Sequence, residues 1–131
     1  MKGYIADIET LTEDNDDFRR VLYTAKNVQL VLMSLKPGED IGSEIHIDRD
    51  QFFRVEKGHG EIVIDGMTHK VKSGFAIVVP AGARHNLVNS GDKSMKLYTL
   101  YGPPNHLDKL VQSTKAAAQA SKEKFAGVTT E

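Results

Sequence analysis

The chain reads as an all-β protein, a barrel or sandwich of short antiparallel strands followed by one amphipathic C-terminal helix. Three observations predict this class. Apolar or alternating runs of four to eight residues recur from residue 28 to residue 102. Turn-prone Gly, Pro, Asp and Asn separate them, and that regular short spacing argues for a barrel or sandwich. After Pro103-Pro104 the composition shifts to an apolar stripe of helical period and a run of alanines.

Each element has its own local reason. Residues 1–27 are acidic over Glu13-Asp14-Asn15-Asp16-Asp17 and apolar over Val21-Leu22-Tyr23, which predicts a loop and then an added strand. Val28 to Leu35 is a mostly apolar strand stopped by Pro37-Gly38. Gln51 to Val55 is another, with Gln51, Phe53 and Val55 sharing one face by the two-residue period. Gly60 to Gly66 alternates and ends in Asp65-Gly66, a hairpin turn signal, so Thr68 to Val71 returns as the second arm. Phe75 to Val79 and Met95 to Tyr101 complete the series. Asn105 can cap a helix over about 105–124 in which Leu107, Leu110, Val111 and Thr114 form one stripe, fraying towards Gly127. That helix is expected to pack on the outside of its own barrel or of a partner's.

Composition narrows the function classes. A chain of 131 residues holds one core but not two. With 17 basic and 18 acidic residues, a net charge of −1 gives no electrostatic case for nucleic acid or an anionic membrane. The absence of cysteine removes disulfides and thiolate ligands. The start, Met-Lys-Gly-Tyr-Ile-Ala-Asp-Ile-Glu-Thr, lacks the apolar run of a signal peptide, and no segment reaches transmembrane length, so a cytoplasmic protein is expected.

The chemistry concentrates at four positions. Glu44 and His46 are two apart, so on a strand both project from one face. Gln51 lies five beyond His46, an odd offset that requires an intervening turn, and Asp48-Arg49-Asp50 supplies one. His85 follows a Pro80/Gly82 turn at the end of an apolar strand. If the Gln51 face meets His85 inside a barrel, two imidazoles, one carboxylate and one amide oxygen converge, a donor set for a divalent first-row metal.

These positions also carry a resemblance. Gly74, Pro80, Gly82, His85 and Asn89 fill every fixed position of the pattern G(X)5PXG(X)2H(X)3N, the second motif of the cupin superfamily. Upstream, Gly38, His46 and Gly58 fit its first motif, with Glu44 where the first His belongs and Gln51 in place of the Glu. The chain therefore resembles a small single-domain cupin, over roughly residues 28–102. The resemblance implies one cupin domain over 1–131, a jelly-roll β-barrel, and one divalent ion per chain held by Glu44, His46, Gln51 and His85. The two departures compensate in charge, since the family's usual three His and one Glu also carry a single negative charge. Two nitrogens and two oxygens lean towards Mn2+ or Fe2+, with Ni2+ and Zn2+ as alternatives.

Around that set, Phe53 is expected on the pocket wall because it shares the face of Gln51. Tyr98 and Tyr101 fall on opposite faces, so at most one of them lines the pocket unless a bulge intervenes. Arg54 and Arg84 neighbour inward positions and are expected in solvent, His59 in a turn, and His69 and His106 at the periphery. No general base stands out beyond the ligands. The expected activity is that of an isomerase or lyase working on a small carbohydrate-like substrate by metal-assisted proton transfer. The alternatives are a non-haem Fe2+ dioxygenase using Glu44, His46 and His85, and a non-catalytic small-molecule sensor. A homodimer is expected, paired through an open strand edge around Arg19 to Tyr23.

Overall fold

A computed structural model describes all residues from Met1 to Glu131. The strands are β1 (Arg19–Thr24), β2 (Gln29–Leu35), β3 (Glu44–Ile45), β4 (Asp50–Lys57), β5 (His59–Ile64), β6 (Met67–Lys72), β7 (Ala76–Val79), β8 (Arg84–Val88), β9 (Met95–Gly102) and β10 (Val111–Gln112), with helices α1 (Ile8–Asp14) and α2 (Lys115–Ala120). They form two antiparallel sheets, a six-stranded one in the order β10-β1-β2-β9-β4-β7 and a four-stranded one in the order β3-β8-β5-β6. The core lies between them: Val31, Met33, Phe53, Val55 and Leu97 of the larger sheet join Ile62, Val71 and Leu87 of the smaller in one buried cluster. The two-residue period of β4 explains its side of that core. Gln51, Phe53 and Val55 are buried, while Phe52 and Arg54 between them are only partly so.

Turn chemistry is realised as the sequence predicts. Asp65 and Gly66 both take positive φ, 47° and 81°, the mirror-image turn whose twist suits the β5–β6 hairpin. No helix is long and apolar enough to cross a membrane.

Two expectations at the ends are corrected. Residues 105–114 are not helical. Instead β10 pairs with β1, Arg19 opposite Gln112 and Arg20 opposite Val111, and the Val21 N–H donates to the Leu110 carbonyl at 2.9 Å. The unpaired backbone of β1 offers hydrogen bonds that an isolated amphipathic stripe does not, and the tertiary pairing overrides the local pattern. The stripe then splits: Leu110 packs against the core while Val111 is 50% exposed. Only Lys115–Ala120 is helical, begun by Thr114, whose side chain accepts from the Ala117 N–H at 3.1 Å. The expected open edge around Arg19 to Tyr23 is accordingly closed by β10 at its first two residues, which leaves β7 as the bare edge of the core of that sheet.

At the other end the predicted added strand is present as β1, but a helix precedes it. Asp7 caps α1 by accepting from the Thr10 N–H at 3.3 Å. The helix packs on β2, β4 and β9. That cover accounts for Leu32, which is 1% exposed although it alternates with the core residues Val31 and Met33.

Candidate metal centre

Pairing of β3 with β8 sets Glu44 directly opposite His85. His46 follows immediately after β3, and its carbonyl accepts from the Gly82 N–H at 2.8 Å. Gly82 has φ +89°, a conformation open to glycine at little cost, so the Pro80/Gly82 turn fastens the His46 segment to the strand that carries His85. Asp50 completes the clasp by accepting from the Ala81 N–H at 2.8 Å. The ligating atoms of Glu44, His46 and His85 all lie within 4.8 Å of one another.

Gln51 enters from the opposite sheet. Its Nε2 donates to Thr99 Oγ1 at 3.0 Å, which turns Oε1 towards His85 Nε2, also at 3.0 Å. The Ala83 carbonyl lies 3.1 Å from His85 Nδ1, so each ring nitrogen faces an oxygen that accepts, and the tautomer fit for a metal carries its hydrogen on Nδ1. In that tautomer His85 Nε2 points a lone pair at the centre. His46 Nε2 meets Glu44 Oε2 at 2.9 Å. Phe53 is fully buried with its ring centroid 6.1 Å from that of His85, the wall position expected for it.

Tyr101 adds a group that sequence reasoning only half located. Its ring meets His46 edge-on at 5.9 Å, and its hydroxyl donates to His106 Nε2 at 3.2 Å. His106 Nδ1–H donates in turn to Glu123 Oε1 at 2.5 Å, and the Leu107 N–H holds Glu123 Oε2 at 2.9 Å. A chain of hydrogen bonds thus runs from Tyr101, whose ring packs on His46, to the C-terminal segment.

Charges follow from these neighbours. Burial raises the Glu44 carboxyl, but the His46 hydrogen bond and the nearby His46, Arg19 and His85 outweigh it, and the net shift is downward. Burial pushes the Tyr101 hydroxyl well up. His106 is lowered, by burial first, with Glu123 opposing. Glu123 would be raised by burial, yet its hydrogen bonds to His106 and the Leu107 N–H carry it below the usual carboxylate range. The consistent arrangement is a neutral His106 donating to an ionised Glu123.

Other expectations divide. Tyr98 lies outside the pocket, half-buried and 6.2 Å from the Phe52 ring, because parity along β9 gives Tyr101 the inner face. Arg84 is exposed and Arg54 pairs with Glu56 at 2.8 Å, as expected of outward residues. His69 is exposed. His59 is exposed but opens β5 rather than sitting in a turn, at the far end from Ile64, which pairs with His85. His106 is not peripheral: at 7% exposed it is packed against Tyr101, since the C-terminal segment covers it. Arg19, expected only at an open strand edge, is a buried residue beside the site that sequence reasoning did not single out. Its two-residue offset from the buried Val21 was the available signal for an inward position.

The sequence profile of the Cupin domain family matches residues 31–101, more than half of the chain. The chain belongs to the cupin family. The uncharacterized protein YrkC of Bacillus subtilis (strain 168) is 43% identical over 128 residues, spanning 93% of this chain and 69% of YrkC. The crystal structure of BH2720 from Bacillus halodurans superposes with a TM-score of 0.90 at 41% identity, covering 92% of this chain and 96% of that one. A double-stranded beta-helix domain protein from Klebsiella pneumoniae, at 20% identity and TM-score 0.67 over 78% of this chain and 91% of that one, shares the fold. In this cupin the motif asparagine has a structural task. Asn89 Nδ2 donates to the Leu35 and Lys93 carbonyls at 2.9 and 2.8 Å, locking β8 to the end of β2.

Proposed function

We propose that this cupin binds one divalent metal ion per chain through Glu44, His46, Gln51 and His85, and that it acts on a small carbohydrate-like molecule by metal-assisted proton transfer, as an isomerase or lyase. One observation carries the metal reading. Gln51 Oε1, which can only accept, faces His85 Nε2 at 3.0 Å, and in the tautomer with the His85 hydrogen on Nδ1, towards Ala83, both atoms offer electron pairs to one point. In that tautomer the separation is about that of neighbouring ligands on one ion with bonds of ~2.1 Å, so a metal ion can take the place that a hydrogen between them otherwise holds. With oxygen and imidazole donors and no thiolate, the set suits Mn2+ or Fe2+.

Bound there, such an ion would polarise a substrate carbonyl and acidify the C–H beside it. The protein's own part is to keep the donors pointed inward and to manage the proton. His46 Nε2 hydrogen-bonds to Glu44, so an ion bound there would take the place of that hydrogen and leave the ring with its hydrogen on Nδ1. Tyr101, which packs on His46, begins a donor–acceptor chain through His106 to Glu123, an arrangement that supports proton transfer as the chemistry. A second reading, an Fe2+ dioxygenase, is favoured by the two-imidazole, one-carboxylate composition of Glu44, His46 and His85.

The test is solvent deuterium incorporation at carbon by Mn2+-loaded protein across a panel of aldoses, ketoses and sugar acids, run beside oxygen uptake by Fe2+-loaded protein. Exchange without oxygen uptake supports the isomerase or lyase. Oxygen uptake without exchange supports the dioxygenase. We further propose a homodimer. The bare β7 edge, with Val78 66% exposed and aligned across the sheet with Phe52 and Leu100, supports that pairing.

A further inference from the structure

Arg19 is a buried cation with no ion-pair partner in contact, although its charge is felt by Glu44. It is 7% exposed, on the inward side of β1. Its Nη1 donates to Gln112 Oε1 at 2.7 Å, and its Cζ lies 5.3 Å from the Phe18 ring centroid. No carboxylate lies within ion-pair distance of it, and its Nε is buried with no hydrogen-bond partner. Leaving a charged donor buried and unpaired is among the costlier arrangements a fold can hold, and it persists where a ligand completes it.

The surroundings say what kind of ligand. Arg19 lines a cavity of about 210 Å³ together with Glu44, Ser43, Ile41, Lys115 and Gln119. This hollow touches the proposed metal set, because Glu44 belongs to both. Its second cation, Lys115, already has Asp40 as partner. Arg19 is therefore the unsatisfied charge. With Nη1 engaged by Gln112, the guanidinium edge formed by Nε and Nη2 carries no protein hydrogen bond. That edge is a planar two-donor fork, which matches the two oxygens of a carboxylate. The volume is below that of drug-sized pockets, so the molecule has a handful of heavy atoms.

We propose that Arg19 is a specificity-determining residue that anchors the carboxylate of a small metal-chelating acid in the cavity beside Glu44. This rests on the metal reading above and narrows its substrate class, from carbohydrate-like molecules in general to short hydroxy or keto acids. A hydroxyl or carbonyl next to the carboxylate then faces the metal ligands, while Arg19 and the Ser43 and Gln119 side chains line the acid's end of the cavity.

Calorimetric titration of the Mn2+-loaded protein with lactate, lactamide and inorganic phosphate tests this, with metal content measured on every sample. Lactate is expected to bind, and the neutral, isosteric lactamide to bind at least about 30-fold more weakly, the scale of a lost charge-assisted pair. Arg19→Gln should keep its metal and lose lactate affinity by a similar factor, and Arg19→Lys should recover only part of it. The lactate and lactamide comparison on the unaltered protein keeps the test decisive should Arg19→Gln misfold. Equal binding of lactate and lactamide, lactate binding unchanged in metal-loaded Arg19→Gln, no lactate binding to metal-loaded protein, or phosphate bound in preference to lactate would each overturn the proposal while leaving the metal site standing. A wild-type chain that takes up no metal would overturn the underlying reading instead.

Discussion

Gln51 Oε1 lies 3.0 Å from His85 Nε2, with Thr99 Oγ1 holding the Gln51 amide nitrogen and the Ala83 carbonyl facing His85 Nδ1, so that with its hydrogen on Nδ1 the histidine joins Gln51 in presenting a lone pair. The two residues come from different sheets, β4 and β8, so their meeting depends on the whole barrel. The Thr99 contact decides which end of the Gln51 amide faces the centre. Thr99→Val removes that partner, and the expected result is weaker metal binding with the fold retained, read by metal titration and circular dichroism.

Exchanging the two unusual ligands tests whether Glu44 and Gln51 share one ion. Gln51→Glu adds a second carboxylate, and Glu44→His leaves the set neutral. The double change restores the ligand charge of −1 and the family's usual residue types. Metal affinities should therefore be non-additive around the cycle by about 1 kcal/mol or more, the scale of coupling between groups in contact. Additive affinities would place at least one of the two outside the ligand set.

Gly82→Ala isolates the turn that joins the two histidines. A Cβ at Gly82 meets nothing within 4 Å, so the cost is the φ of +89° alone. A left-handed alanine should cost roughly 1–2 kcal/mol in urea unfolding. Metal binding should weaken as well, because the Gly82 N–H positions His46. Loss of stability with unchanged metal affinity would separate the turn from the site.

Acid should loosen the C-terminal segment. His106 has a folded value below its ordinary 6.5, so as pH falls below 6.5 the unfolded chain takes up a proton that the folded one resists, and stability drops. Glu123 has a folded value below its ordinary 4.5, so its contribution is present above 4.5 and is lost as pH falls through the lower folded value. Tyr101, Arg19 and Glu44 are the other ionisable groups bearing on His106. In metal-stripped protein the melting temperature should decline from about pH 6.5 downwards. His106→Gln should flatten the decline between 6.5 and 4.5, and an unchanged slope in that variant would count against the assignment.

The dimer is tested by light scattering. The mass should be twice the 14.5 kDa of one chain, and Val78→Asp on the β7 edge should return it to a single chain without loss of fold. A wild-type mass of one chain at micromolar concentration would sink the proposal.

The barrel was legible because its determinants are local. Period-two burial in β4, the Asp65-Gly66 hairpin and the motif turn at Gly82 each carry their geometry in a few adjacent residues. The convergence of Glu44, His46 and His85 was legible for the same reason, through offsets of two and a turn. What escaped depends on distant partners. Leu107 to Thr114 has helical period, but the backbone of β1 claims Val111 and Gln112 for a strand. His106 and Glu123 are 17 apart, and nothing in either residue announces the other. Arg19 stood out only as the start of an open strand edge. Only β10 closing over it and the cavity beside Glu44 show it as an interior cation.

The central claim is that the two histidines hold a metal. Elemental analysis of purified wild type and of His46→Ala with His85→Ala, each loaded with Mn2+ and desalted, tests it most directly. The account predicts one ion per wild-type chain and none in the double variant, with circular dichroism confirming that the variant is folded. A double variant that retains the same metal content as wild type would contradict it.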